Sequence, residues 1–211
     1  LTRIVDGKDN DLYPEIKRRS LSGEYAEKME WDLVRHDVMH RFGYYNTESS
    51  EHTSEYTPYY IKSKYPQLIE RFKIPLDEYP RRCVNQIEKW TQMRKDLVEK
   101  YDLTHERSKE YASHIMEAVV TDAPYRIGGN VLNDGRYITN LPEEACVEVP
   151  CLVDGHGIQP VRVGALPVVC AAMNQTNINV QLLTIEAAVT RRKEHIYQAA
   201  MLDPHTGSEL D

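Results

Sequence analysis

The spacing of apolar side chains divides the chain into two kinds of sequence. Up to about residue 120, apolar positions recur every three or four residues, the period of a helix with one buried stripe. Tyr25, Met29, Leu33, Met39 and Phe42 keep that spacing over 24–42, and Gly43 supplies the residue type on which helices commonly end. A short helix is expected over 65–72, with Pro75 and Pro80 marking the turn after it. Over 81–101, Val84, Ile87, Trp90 or Thr91, Arg94 and Leu97 fall on one stripe with charges opposite. Tyr111, Ile115 and Val119 continue the helical period over 106–120. Two stretches lack a clean period. Residues 8–23 are polar, contain Pro14 and read as a loop, and residues 47–60 run TESSEHTSEYTPYY.

Beyond residue 120 the period changes. Residues 125–130, 137–141 and 145–153 read as strands, the last by strict alternation, and Asn133-Asp134-Gly135 is a turn signal. Asp154-Gly155-His156-Gly157 is a tight turn, and 158–163 returns as the second arm of a hairpin. Residues 1–6 also read as a strand, already in progress at Leu1. Pro167 suits the first turn of a helix reaching about residue 190, rich in small and amide residues such as Ala171, Asn174, Gln175, Asn177 and Asn179. A last helix is expected over 193–202, stopped before Pro204. Helices, then a small antiparallel sheet, then helices make an α+β fold, without the regular strand–helix alternation of a parallel sheet.

Composition narrows the function classes. A chain of 211 residues has ample material for a hydrophobic core. Its net charge of −7 argues against a general nucleic-acid binder, which needs a basic footprint. The apolar runs are too short to span a bilayer, so no membrane partner is expected. Cys83, Cys146, Cys151 and Cys170 include no C-x-x-C pair, and there is no basic-then-apolar leader at Leu1. Reduced thiols and a cytoplasmic location are the expectation. Tyr occurs 14 times and Phe only twice, so polar-tipped aromatic rings are abundant.

The densest candidate chemistry lies in Glu48, Glu51, His52, Glu55, Tyr56, Tyr59 and Tyr60. Carboxylate, imidazole and phenol at this density can move protons, contact sugar hydroxyls or ligate a metal. On a helix Glu51, Glu55 and Tyr59 would share one face, as would His52 and Tyr56, although Pro58 limits its length. The same composition also suits a solvated surface loop. Two acids with one histidine are a weak metal signal without H-E-x-x-H. Gly155-His156-Gly157-Ile158-Gln159-Pro160 is not a dinucleotide loop, because it joins two strands and carries a proline. Asn130, Asn133 and Asn140 are turn-type amides, with Asn130 the best placed for a ligand because it follows a strand.

Long blocks of the chain then point to a family. FGYYNTESSEHTSEYTPYYIKS (42–63), IPLDEYPRRCVNQIEKW (74–90), GGNVLNDGRYITNLPEEACVEVPCLVDGHGIQPVRVGALP (128–167) and the segments QTNINVQLLTIEA and AAMLDPHT within 175–206 resemble glycoside hydrolase family 4, in particular its α-galactosidases. The resemblance covers most of the chain. It implies a fold like the C-terminal domain of lactate and malate dehydrogenases over residues 1–211, with the Rossmann domain lying upstream and both ends truncated. It also implies NAD and a divalent metal, usually manganese (Mn2+). NAD transiently oxidises the sugar at C3, a tyrosine removes the acidified C2 proton, the metal stabilises the enediolate, and the aglycone leaves by elimination before water adds and the hydride returns. This family is an exception to the two-carboxylate scheme of most glycosidases.

Carried onto this sequence, the resemblance implies Tyr56 as the base. A phenol ionises near pH 10 in water, so the site must stabilise the phenolate, by the metal and by cations such as Arg35. Glu51 and His52 are implied as sugar contacts or orienting groups, and Asn130 as a substrate contact. The metal and nucleotide ligands, and the catalytic acid, are implied to lie upstream. The implied partners are an α-galactoside and further copies of the chain, as a homodimer or homotetramer, with the helices around Trp90 and Asn177 as candidate interfaces. A fragment of this kind is expected to be inactive alone. An α-glucosidase or α-galacturonidase specificity within the family, or a non-catalytic interaction module, are the alternatives.

Overall fold

A computed structural model describes residues 1, 3–25, 29–100 and 107–207. Its helices are α1 (Tyr13–Leu21), α2 (Leu33–Phe42), α3 (Ser50–Glu55), α4 (Gln67–Arg71), α5 (Glu78–Glu99), α6 (Ala112–Thr121), α7 (Val168–Thr190), α8 (Lys193–Leu202) and the single turn α9 (Pro204–Gly207). The strands are β1 (Tyr125–Leu132), β2 (Cys146–Asp154) and β3 (Gly157–Pro160), in the order β1-β2-β3 in an antiparallel sheet. The α+β expectation, helices with one small antiparallel sheet, holds.

The chain forms two compact units. One comprises Leu1–Ile74, Gly128–Cys151 and Pro160–Asp211, and the other Pro75–Ile127 and Leu152–Gln159. In the first, Val34, Val38, Tyr60 and Ile74 form a core, and Phe42, Ile61, Ile69 and Phe72 pack against it. Helix α2 ends on Gly43 at φ 87°, whose N–H donates to the Met39 carbonyl, a left-handed stop that glycine adopts without steric cost. Strand β2 alternates as expected: Val147, Val149, Cys151 and Val153 are buried and the residues between them face outward.

Several expectations need correction. Residues 13–21 form a helix where a loop was expected, because Pro14 sits in the first turn, where its missing N–H has no partner to lose. Among the described residues of 1–6 there is an isolated bridge, between Val5 and Asp11, and no strand. Residues 137–141 likewise form one bridge, Ile138 to Gly164, because the Asn133 side chain occupies their backbone groups. The Asn133 Nδ2 donates to the carbonyls of Ile138, Leu141 and Pro142, and its Oδ1 accepts from the Ile138 N–H. The helix expected over 24–42 has a 3-10 turn at Glu30–Asp32 before α2, and residues 26–28 lie outside the described part.

In the second unit, α5 has the expected stripe but no buried residue. Val84, Ile87, Trp90 and Leu97 are all exposed. All four cysteines are free thiols.

Candidate active site at helix α3

Helix α3 is short and is made by its caps. Ser49 is extended, and its Oγ accepts the His52 N–H at 3.1 Å, a Ser N-cap. At the other end the Tyr56 N–H donates to the His52 carbonyl at 2.9 Å. Ser50, Thr53, Ser54 and Thr57 are buried. Those positions share one helical face, so hydroxyls take the place of the usual apolar stripe. The inward hydroxyls are satisfied locally: Thr53 Oγ1 donates to the Ser49 carbonyl at 2.7 Å, Ser54 Oγ to the Glu51 carbonyl at 2.5 Å and Thr57 Oγ1 to the Thr53 carbonyl at 2.7 Å. This hydroxyl stripe is why residues 47–60 show no apolar period.

The opposite face carries the titratable side chains. His52 Nδ1 lies 2.8 Å from Glu55 Oε2, and this bond raises the pH at which the imidazole loses its proton. The His52 and Tyr56 rings stack with centroids 6.0 Å apart and planes inclined by 21°. Tyr56 is 51% exposed. Its backbone is tied from α7, where Asn177 Nδ2 donates to the Tyr56 carbonyl at 3.3 Å. Of the two neighbouring phenols, Tyr60 is buried and donates to Asp37 Oδ2 at 2.9 Å, and desolvation together with that carboxylate pushes its ionisation far above the usual phenol range. Tyr59 lies against Phe42 and Tyr60.

The start of α3 rests on a buried carboxylate. Asp32 has no solvent exposure. It occupies the N-cap position of α2 but makes no cap bond. Instead it accepts from Arg35 Nε, from the Tyr45 hydroxyl and, at 3.5 Å, from Ser50 Oγ. The Arg35 N–H in turn donates to Ser50 Oγ at 3.3 Å. The Arg35 guanidinium is sandwiched, 5.2 Å from the Trp31 ring centre and 4.9 Å from that of Tyr45. Burial and the Asp32 carboxylate raise the ionisation of Tyr45, so its hydroxyl stays a donor. His36 Nε2 lies 3.5 Å from Asp32 Oδ2, while its buried Nδ1 has no hydrogen-bond partner.

The structure therefore brings Glu51, His52 and Tyr56 onto one short helix and its cap, and places Arg35 beside the first residue of that helix. Arg35 is engaged by Asp32 and two aromatic faces. Asn130 is an exposed residue of β1, and among the described residues no hydrogen bond or ring contact joins it to this group. Sequence reasoning missed Asp32, Tyr45 and the role of Asn177. The signal for the first was available, since Asp32, Arg35 and His36 stand at helical i, i+3 and i+4 spacing. Among the described residues there is no cluster of three or more histidine, cysteine or acidic side chains able to hold a metal ion. No described helix is long and apolar enough to cross a membrane.

Comparison with known proteins bears on this site. Residues 1–206 match the model of the family 4 glycosyl hydrolase C-terminal domain. The chain is 61% identical, over 95% of its length, to an alpha-galactosidase of Bacillus subtilis, of which it covers 46%. It is 37% identical, over 84% of its length, to an alpha-galactosidase of Rhizobium meliloti, of which it covers 38%. The chain thus spans about half or less of the curated relatives it matches. A crystal structure of a putative glucosidase from Bacillus subtilis superposes with a TM-score of 0.80 at 21% identity, over 95% of this chain and 48% of the other. A 6-phospho-alpha-glucosidase from gut microorganisms, solved in complex with NAD and Mn2+, gives a TM-score of 0.64 at 21% identity, over 98% of this chain and 48% of the other.

Proposed function

The chain belongs to glycosyl hydrolase family 4 as its C-terminal domain, and from that premise we propose that the complete protein carrying it hydrolyses α-galactosides, with Tyr56 as the base that takes a carbon-bound proton from the sugar. The observation that carries the sugar class is the 61% identity to the Bacillus subtilis alpha-galactosidase. The geometry of α3 supports the location: an exposed phenol lies beside an imidazole whose proton affinity is raised by its bond to Glu55. In its protonated form that imidazole carries the charge sign a developing phenolate needs. Glu51 and His52 supply hydrogen-bonding groups for sugar hydroxyls on the same helix, Asn130 is a further contact on β1, and Arg35 acts from its place beside Ser50.

NAD supplies hydride chemistry in this family and manganese supplies charge stabilisation. The described residues do not fit either group: they contain no three-ligand cluster and no glycine-rich strand-to-helix turn. This chain's share is therefore proton handling and sugar binding, and the cofactors are held by other residues of the complete protein. A homodimer or homotetramer is part of the same proposal. It is supported by the exposed apolar side chains of α5, such as Ile87 and Trp90, and separately by those of α8, such as Ile196 and Tyr197. A cytoplasmic location completes it, consistent with the free thiols.

The test is cleavage of p-nitrophenyl α-galactoside by the complete protein, with NAD and manganese each added or withheld. Activity that needs both and falls at least about a thousandfold in Tyr56→Phe is the expected result. Full activity in that variant removes Tyr56 as the base. Cleavage of the α-glucoside or α-galacturonide in preference to the α-galactoside removes the sugar assignment. Absence of cleavage of all three, in folded protein with both cofactors bound, leaves an interaction module.

A further inference from the structure

We propose that Asp32 is a positioning residue for the α3 site: its buried carboxylate gathers Arg35, Tyr45 and Ser50, and so fixes the helix that presents His52, Glu55 and Tyr56. This inference rests on the reading of Tyr56 as the base. A fully desolvated carboxylate is costly unless every lone pair is used. Here three donors from three segments converge on it: Arg35 from α2, the Tyr45 hydroxyl from the loop after α2, and Ser50 Oγ from the first residue of α3. Ser50 is held twice, since it also accepts from the Arg35 backbone at 3.3 Å.

The arrangement is not an ordinary helix cap. Asp32 stands where an aspartate would accept from the N–H groups of α2, yet it makes no such bond. Its lone pairs are spent on side chains instead, those of Arg35 and His36 in α2, of Tyr45 in the loop and of Ser50 in α3. Ordinary packing alone does not fix α3, because its inward face carries hydroxyls, and apart from Ser50 these bond only to their own or adjoining backbone or to Asn46. Within the buried set, Ser50 is the α3 hydroxyl bonded to a charged group of another helix cap, and that bond sets the register of the helix. Small displacements matter at such a site, where a shift of about 1 Å in a catalytic group can cost about a hundredfold in rate.

The experiment uses the complete protein and four substitutions. Asp32→Asn keeps the shape and removes the charge. Tyr45→Phe and Ser50→Ala each remove one arm and leave the Asp32–Arg35 pair intact. On p-nitrophenyl α-galactoside, Asp32→Asn is expected to lower kcat about 10–100-fold and Tyr45→Phe about 3–10-fold, with KM changed less than about threefold. The double variant Asp32→Asn with Tyr56→Phe is expected to be no slower than Tyr56→Phe alone, because a residue acting through Tyr56 loses its effect when the phenol is gone. Amide hydrogen exchange over residues 50–57 is expected to speed up in Asp32→Asn while that of α8 is unchanged.

Multiplicative losses in the double variant overturn the proposal, as does unchanged α3 exchange together with wild-type kcat in Tyr45→Phe and Ser50→Ala. If Asp32→Asn does not fold, Tyr45→Phe and Ser50→Ala decide by the same rate and exchange readouts. Wild-type activity in Tyr56→Phe refutes the base reading alone, and the α3 exchange then decides the role of Asp32.

Discussion

Helices α2 and α5 invert each other. Helix α2 has almost no segregation of polar from apolar faces in its sequence, LVRHDVMHRF, yet Val34, His36, Val38 and Met39 are all buried. Helix α5 has the clearest apolar stripe in the chain and buries nothing. Each belongs to a different compact unit. The stripe in α5 reports that some apolar surface is to be covered, while leaving open what covers it. The one buried polar residue of α2, His36, and the partly buried Arg35 both have Asp32 as a partner, although His36 Nδ1 has none. Pattern thus identifies helices well, and partner chemistry decides which of them a fold encloses.

The sharpest break of that contrast comes at Asp32. Its replacement by alanine leaves the largely buried Arg35 charge uncompensated and is expected to destabilise by about 3–5 kcal/mol in urea melts. Met39→Ala, in the same helix, is expected to cost about 2–5 kcal/mol through the cavity it opens. Asn133→Ala tests whether buried amides outside α2 obey the same rule. It strips three carbonyls and one N–H of their partner and is expected to cost at least about 1–3 kcal/mol. An effect below about 0.5 kcal/mol at Asp32 or Met39 would remove the distinction between the two helices, and one at Asn133 would confine the rule to α2.

Two histidines sharpen the picture through pH with opposite signs. Burial lowers the proton affinity of His36, which faces Asp32, Arg35, His40, Tyr25 and Tyr45. The unfolded chain binds that proton more readily, so the His36 contribution is lost as pH falls below about 6.5. His52 is raised by Glu55, so its contribution is present below about 6.5 and is lost as pH rises through the folded-state value. Melting temperature against pH should fall less steeply between about pH 7 and 6 in His36→Phe, and less steeply above about pH 6.5 in Glu55→Gln. At the small end, Ile87→Glu on α5 is expected to change stability by less than about 0.5 kcal/mol. The same variant is expected to abolish self-association in sedimentation if α5 is an interface.

Much of this was legible from residue order. Gly43, Pro167 and the alternation over 145–153 placed the end of α2, the start of α7 and the strand β2. The misreadings share one cause, side chains that act on backbone. Pro14 was read as a breaker, though in a first turn it costs nothing. Residues 137–141 have strand composition, yet Asn133 takes the backbone groups a neighbouring strand would need. Helix α3 escaped because its inward stripe is Ser50, Thr53, Ser54 and Thr57, which a search for apolar periodicity passes over. At the candidate site, chemical density marks the stretch that holds Glu51, His52 and Tyr56 and the family resemblance singles out Tyr56, whereas Asp32 and Tyr45 come from outside that stretch and meet it only in three dimensions.

The bond from Asn177 to the Tyr56 carbonyl joins residues 121 positions apart. Closing a loop of that length costs about 4 kcal/mol of chain entropy before the bond returns anything. Local elements such as the Asp32 corner, whose partners lie within 18 positions, close cheaply and first. The carbonyl of the proposed base, unlike its N–H, which is tied within α3, therefore gains its partner only after α7 has left the ribosome and docked. In a nascent chain that bond waits until most of the domain has been synthesised.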